Sequence, residues 1–338
     1  MLNTVFYSLI NMSIFASIIG LLLLILRKIK HIPRLAIYWM WTLVLLKLII
    51  PFSVSSRVSI LNLTGSLVKR VVVVPGMKER SISLSMSNSI GAADTYFPVT
   101  FETGQLEKIF SIASYVWIIG VAGSVILAGV IYFITCSRLK SATAGFSIPG
   151  MNITVDEPLF INEPVKYFNE FSTKAAAPVY ICEIIDTPMV QGVIRQRILI
   201  PKGCLGEPGL KYIILHENVH VKRKDNLIRI VSLLTACLHW FNPLAWIFMN
   251  KFTEDMELTC DLRAVKELTS DERKDYAQTL LAVGTERQYR VMSAFGSSSI
   301  SKRVINVLSY KKISVFSLAL ILIFVTVAAV ALLTNPLK

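Results

Sequence analysis

Two histidines and a glutamate stand within five residues of one another, as His216-Glu217-Asn218-Val219-His220. The chain has only four histidines, so half of them sit in this pentapeptide. Tyr212, Ile213, Ile214 and Leu215 lead into it, and the pattern predicts a helix over Gly209–Val221. On a helix, positions four apart share a face. His216 and His220 would then offer two imidazole nitrogens to one metal ion, with Glu217 beside them as general base for a water. A catalytic zinc site needs a third protein ligand and one open position. Glu257 supplies that ligand in this reading, from the run Glu254-Asp255-Met256-Glu257-Leu258-Thr259-Cys260-Asp261. Asp261, four residues further on, shares its face and would orient a ligand histidine. Cys260 is the rival ligand, soft and adjacent. Glu254 and Asp255 read as a solvated face. One zinc ion is the cofactor this set implies.

The segment between these groups must bring Glu257 back to the histidines. Leu227–Asn250 is apolar enough to suggest a membrane crossing. A single crossing there would leave Glu257 on the opposite side of a membrane from His216. Asn242-Pro243 instead signals a helix start, with Asn as N-cap and Pro in the first turn. The expectation is a helix to about His239, a tight turn at Trp240–Asn242, and a return helix from Pro243 to about Leu268. Such a hairpin could dip into a bilayer or pack on other spans; the sequence leaves both open. His239 reads as a turn or packing residue and His31 as surface. Tyr276 and Arg223 are the two guesses for a group that stabilises an oxyanion, each with a packing or surface role as the alternative.

Composition places these elements beside lipid. Of 338 residues, 54% are hydrophobic and only 17% charged, against about 25% charged in an ordinary soluble domain. Mean hydropathy is +0.59. Four stretches approach the roughly 20 residues that cross a bilayer: Val5–Leu26, Leu35–Phe52, Ile109–Thr135 and Ile313–Thr334. Basic clusters flank them at Arg27, Lys28, Lys30 and Arg34, at Arg138 and Lys140, and at Lys302, Arg303, Lys311 and Lys312. Basic loops stay cytoplasmic, so both termini are expected outside and Cys136–Lys312, with the zinc-site residues, inside. The resulting division is 1–52 with two spans, 53–108 as an outer loop, 109–135 as the third span, 136–312 as the cytoplasmic domain with the zinc-site residues, and 313–338 as the fourth span with a short tail. The outer loop reads as a linker rather than a sensor. The formal charge of +13 is then topological, and direct nucleic-acid binding is not expected, because no finger spacing or aromatic-interleaved basic motif occurs. Cys136, Cys182, Cys204, Cys237 and Cys260 all fall on the expected cytoplasmic side, so no disulfide is expected.

The motifs together resemble a known family. His216-Glu217-x-x-His220-x-x-Arg223-x-Asp225, then His239-Trp240-Phe241-Asn242-Pro243-Leu244-Ala245-Trp246, then Glu257-x-x-Cys260-Asp261 are similar to the BlaR/MecR-type membrane metallopeptidases, the antirepressor proteases of bacterial beta-lactam sensing. The middle block separates that family from HtpX and the CAAX prenyl proteases, which share the first motif. Thr187–Pro201, ending Arg197-Ile198-Leu199-Ile200-Pro201, looks like the family's strand before the zinc helix, an edge on which a peptide can add. Asn218 and Gln196 depart from the family's usual residues. The family's penicillin-binding sensor is expected to be missing. Ser66-x-x-Lys69 and Ser299-x-x-Lys302 match its acylation pattern by letters only, with no Lys-Thr-Gly following.

The fold class expected is an α-helical integral membrane protein of the bacterial cell membrane. It has four transmembrane helices and a cytoplasmic, mainly helical zincin-like (gluzincin) domain with a small β element. The resemblance implies limited proteolysis of a cytoplasmic regulator such as a winged-helix repressor. Self-cleavage within Gln288–Ser301 and pairing into a homodimer are compatible with it. Two other readings are an HtpX-like quality-control protease and a non-enzymatic transducer that keeps the zinc fold for structure.

Overall fold

The computed structural model describes residues 2–29, 32–50, 55–56, 105–143, 146–148, 153–155, 175–205, 209–290, 296–311, 319, 321, 323–327 and 335–336. The chain divides into two compact units. One comprises Met1–Ile126, Ser232–Phe252 and Ile313–Lys338; the other comprises Leu127–Val231 and Thr253–Lys312.

The first unit is helical. Helix α1 (Leu2–Leu26) and α2 (Arg34–Ile49) form its amino-terminal pair, and α3 (Gln105–Thr143) begins in it. Within α1 and α3, Val5–Leu26 and Lys108–Leu139 are long and apolar enough to cross a membrane. On α3, Ile112, Ile119, Ile126 and Phe133, seven residues apart, are each 64–71% exposed. An uncovered apolar stripe of this kind suits lipid. The second expected span is shorter than Leu35–Phe52: α2 has 16 residues, about 24 Å at 1.5 Å per residue. Of Ile313–Thr334 only residues 319, 321 and 323–327 are described, and they are helical; His31, Phe52 and nearly all of the outer loop lie outside the described residues. Two-residue β1 (Ser55–Ser56) pairs with β7 (Asn335–Pro336) in parallel.

The expected hairpin is present. Helix α5 (Asp225–Leu238) runs to a turn at residues 239–242, and α6 (Pro243–Ala264) returns, continued by a 3-10 turn at Val265–Glu267. Asn242 caps α6, its side-chain oxygen accepting from the Leu244 N–H at 2.9 Å, as an N-cap residue should. Its amide nitrogen donates to Ser13 at 2.7 Å and Ser17 at 2.9 Å on α1. Trp117 Nε1 donates to the Leu238 carbonyl at 3.0 Å, and Trp240 Nε1 to the Trp117 carbonyl at 3.2 Å. Gly120 permits this: a Cβ there would lie 2.3 Å from the Trp240 indole. His239 is fully buried and donates from Nε2 to the Leu48 carbonyl at 2.9 Å, which is the packing role expected of it.

The second unit carries the paired histidines on α4 (Leu210–Arg223). Residues expected as one strand form two, joined by a turn. Strand β5 (Met189–Gln191) pairs antiparallel with β6 (Arg197–Pro201), which pairs in parallel with β4 (Val179–Cys182). The order is β4-β6-β5, so β5 is an edge. The turn needs Gly192, whose φ is +89° and whose added Cβ would meet the Arg195 carbonyl at 2.4 Å. A short hairpin of β2 (Phe146–Ile148) and β3 (Ile153–Val155) precedes this sheet. Val179, Ile181, Ile198 and Ile200 bury against Leu210, Ile213 and Ile214 of α4. On its other flank, Tyr212 and Val219 pack with Cys260, Ala264, Tyr276 and Val307. These last belong to α6, to α7 (Ser270–Arg290) and to α8 (Gly296–Leu308). Thr269 and Glu272 start α7 with a reciprocal capping box. Helix α4 is thus held from both sides.

Candidate metal centre and active site

His216, Glu217 and His220 are all buried on α4 and line a cleft of about 920 Å³. Glu257, Arg229, Tyr276 and Arg303 also line it, and so do Ile185–Val190 ahead of and along edge strand β5. The two Nε2 atoms lie 3.1 Å apart. Glu257 places Oε2 3.5 Å from His216 Nε2 and Oε1 3.6 Å from His220 Nε2. Donors about 2.0–2.1 Å from a tetrahedral ion stand about 3.3–3.4 Å apart. The three side chains therefore fit one zinc ion.

The far side of each ring fixes which nitrogen faces the cleft. His220 Nδ1 donates to Asp225 Oδ2 at 2.6 Å. His216 Nδ1 lies 2.8 Å from the Tyr276 hydroxyl, which itself donates to Asp261 Oδ1 at 2.8 Å. With its proton committed to Asp261, that hydroxyl accepts from Nδ1–H. Both imidazoles then carry their proton on Nδ1 and turn the Nε2 lone pair toward the cleft. Lys224 makes the Asp225 contact possible. It ends α4 in the left-handed region at φ 57°, with its N–H on the His220 and Val221 carbonyls, and α5 starts at the next residue.

Cys260 forms a second arrangement, its donor atom and those of His216 and His220 all lying within 4.8 Å of one another. Its sulfur sits on the protonated side of His216, 3.7 Å from Nδ1, and it does not line the cleft. Glu257 faces both Nε2 atoms, whereas Cys260 meets His216 from its Nδ1 side.

Charge is balanced around the carboxylates. Burial would raise the Asp261 carboxyl, but Arg303 overrides it and holds the group at about 2. Glu257 is likewise held well below its ordinary range, its hydrogen bonds to His216 and His220 outweighing burial. His220 is pushed the other way. Burial alone would lower it, yet its bond to Asp225 leads the contacts that raise it to about 11. The Nδ1 proton stays with Asp225, and a metal ion binding at Nε2 would displace a proton held there.

Asp261 lies beside His216, its Oδ1 3.2 Å from Nδ1, with the Tyr276 hydroxyl 2.8 Å from both groups. The two oxyanion guesses fare differently. Tyr276 lines the cleft, but its hydroxyl is engaged by His216 and Asp261. Arg223 is not among the cleft residues; its Nε lies 3.1 Å from Asp225 and its Nη1 donates to Thr259 at 3.1 Å. Sequence reasoning missed four residues. Asp225 stood in the quoted motif without a role. Arg229, four residues after Asp225 on α5, contacts Glu257. Arg303 was counted only as a topological charge. Asn226 donates from Nδ2 to the carbonyls of Val190 at 2.8 Å and Gly192 at 2.9 Å. Ile198 N–H bonds the Pro178 carbonyl at 2.9 Å, so the polar groups of its partner Val190 point away from β6, to the free edge.

A helix-borne pair of imidazoles with a carboxylate from a second helix is donor chemistry shared by metallopeptidases. The chain belongs to the family described as BlaR1 peptidase M56, a metallopeptidase family, matching it over residues 7–307. It is 29% identical to Regulatory protein BlaR1 of Bacillus licheniformis over 228 residues, covering 64% of this chain and 36% of that protein. It is 23% identical to the Methicillin resistance mecR1 protein of Staphylococcus aureus (strain Mu50 / ATCC 700699) over 283 residues, 81% of this chain and 46% of that protein. The chain thus spans less than half the length of these curated relatives.

Proposed function

We propose that this chain is a zinc endopeptidase of the bacterial membrane that cuts a cytoplasmic regulatory protein at one or a few bonds. The observation that carries the reading is the convergence of His216 Nε2, His220 Nε2 and a Glu257 oxygen, with Glu217 on the same helix, in one cleft bordered by a sheet edge. His216, His220 and Glu257 hold the ion, which supplies Lewis acidity toward the scissile carbonyl and the attacking water. Asp225 and the Tyr276–Asp261 pair set the tautomers. Arg229 positions the Glu257 carboxylate. Glu217 takes the proton of the attacking water and returns it to the leaving amine. An extended substrate segment lies along β5, where Pro188 offers a carbonyl and Val190 an N–H.

The membrane part of the reading rests on α1 and α3, on the uncovered stripe of α3, and on the basic flanks. Four spans, both termini outside and a cytoplasmic peptidase satisfy all of these. The names of the relatives, a regulatory protein and a resistance protein, favour regulated cleavage of a repressor, with a winged-helix protein the first to test. Self-cleavage between residues 288 and 301 belongs to the same proposal; residues 291–295 lie outside the described residues.

Glu217→Gln tests the chemistry. In the native host, amino-terminal peptides are mapped by mass spectrometry with either form expressed. New termini are expected with the wild type only, with equal zinc content in both and at least about a hundredfold loss of cleavage in the variant. Equal cleavage by both forms would remove Glu217 from its role.

A further inference from the structure

The stabiliser of the reaction's developing charge is the part that neither Tyr276 nor Arg223 supplies. Arg303, on α8, stands at the metal donors and has a fixed geometry. Its Nε donates to Asp261 Oδ2 at 2.7 Å and its Nη2 to Asp261 Oδ1 at 2.8 Å, a two-bond fork that only a guanidinium makes. Asp261 is fully buried, and the Arg303 side chain is 20% exposed. The same Nη2 lies 3.3 Å from His216 Nε2, and Nη1 lies 3.5 Å from Glu257 Oε2. Two of its five N–H groups are thus spent on Asp261, and the others look toward the metal donors and the cleft it lines. Helix α8 is itself held in place: Asn306 Nδ2 donates to the Leu258 carbonyl at 3.0 Å, and Val307 is fully buried.

Arg229 is the other cleft guanidinium. It has a 40% exposed side chain and, among the described residues, pairs only with Glu257, so it can follow that carboxylate. Arg303 is anchored on Asp261 as well, and it keeps its charge at any working pH.

We propose that Arg303 is a catalytic residue of the peptidase reaction, clamped by Asp261 and donating an N–H to the scissile carbonyl oxygen as that oxygen becomes negative. The proposal rests on the peptidase reading. In the step, the water oxygen bonds to the carbonyl carbon, the π pair moves onto the carbonyl oxygen, and Glu217 takes the water proton. Arg303 stabilises the oxyanion. The pair then returns, the C–N bond breaks, and the proton goes from Glu217 to the leaving amine. Nothing is oxidised or reduced. Donors preorganised for such charge act on kcat more than on ground-state binding.

The test uses the full-length, zinc-loaded protein in phospholipid nanodiscs. A peptide library made by digesting a bacterial lysate serves as probe, and one cleaved peptide is carried into kinetics. Its phosphinic analogue mimics the tetrahedral anion. The variants are Arg303→Lys, and Arg303→Gln combined with Asp261→Asn, which avoids leaving a buried carboxylate unpaired. Expected is a fall in kcat of about 10²–10³-fold, with KM changed less than about threefold. Zinc content should stay at the wild-type level, and affinity for the phosphinate should fall in step with kcat/KM. A zinc-loaded variant with kcat within about threefold of wild type overturns the proposal. Loss of zinc or of folding in both variants overturns it as well, because Arg303 would then serve the ligands rather than the substrate. A wild type that cleaves nothing while Arg303 variants behave identically sinks the peptidase reading itself, and the inference with it.

Discussion

At the residue scale the site is a set of tautomers held from behind. His216 and His220 were legible because a helix repeats nearly every four residues. Asp225 was not, because its reach to His220 depends on Lys224 taking a left-handed backbone that no spacing rule signals. Arg303 was hidden for a different reason: it lies 87 residues from His216 in the chain, and a cation flanking an apolar stretch reads equally well as a topology signal. The ligand set is testable here. Glu257→Ala should lose zinc, whereas Cys260→Ser should keep it, since the sulfur faces the protonated side of His216. Asp225→Asn should keep the ion but weaken its binding by about 10–100-fold. Competition with a chromogenic chelator measures all three. Zinc loss from Cys260→Ser alone would move the third ligand to the thiolate.

At the element scale the hairpin was the best-read part of the chain. Asn242-Pro243 fixed its return helix because cap chemistry is local, and the observed start at Pro243 agrees with it. The strand was read less well. Thr187–Pro201 contains a turn at Gly192 that splits it, and the parallel partner β4 could not be inferred from a short apolar run. The hairpin tip is seated on α3 through Gly120 and Trp240, so filling that notch should be felt. Gly120→Leu is expected to destabilise the protein by about 1–3 kcal/mol, as overpacking does. Thermal unfolding in detergent, followed by tryptophan fluorescence, reports it. An unchanged transition would show that the notch is not tightly filled.

At the scale of the whole molecule, hydropathy and basic flanks set the proposed topology, and the described helices bear on two of its four spans. Ser87→Cys in the outer loop should react with a membrane-impermeant maleimide on intact cells. Lys266→Cys, exposed beyond α6, should react only after permeabilisation. The opposite pattern would invert the topology. The adjacency of Asp225 and Asn226 also constrains how such a protein can change over generations. Asp225 sets one of the imidazoles proposed to bind the metal, and its immediate neighbour Asn226 occupies the outward carbonyl of Val190 on β5 and that of Gly192 just past it. The ruler against which a substrate backbone would be measured and the blade that would cut it are therefore joined by one peptide bond. A lineage can alter which side chains it prefers by drift along Ile185–Val190. On the proposed function, sliding the cut by a residue would disturb the dipeptide that orients His220 and braces β5.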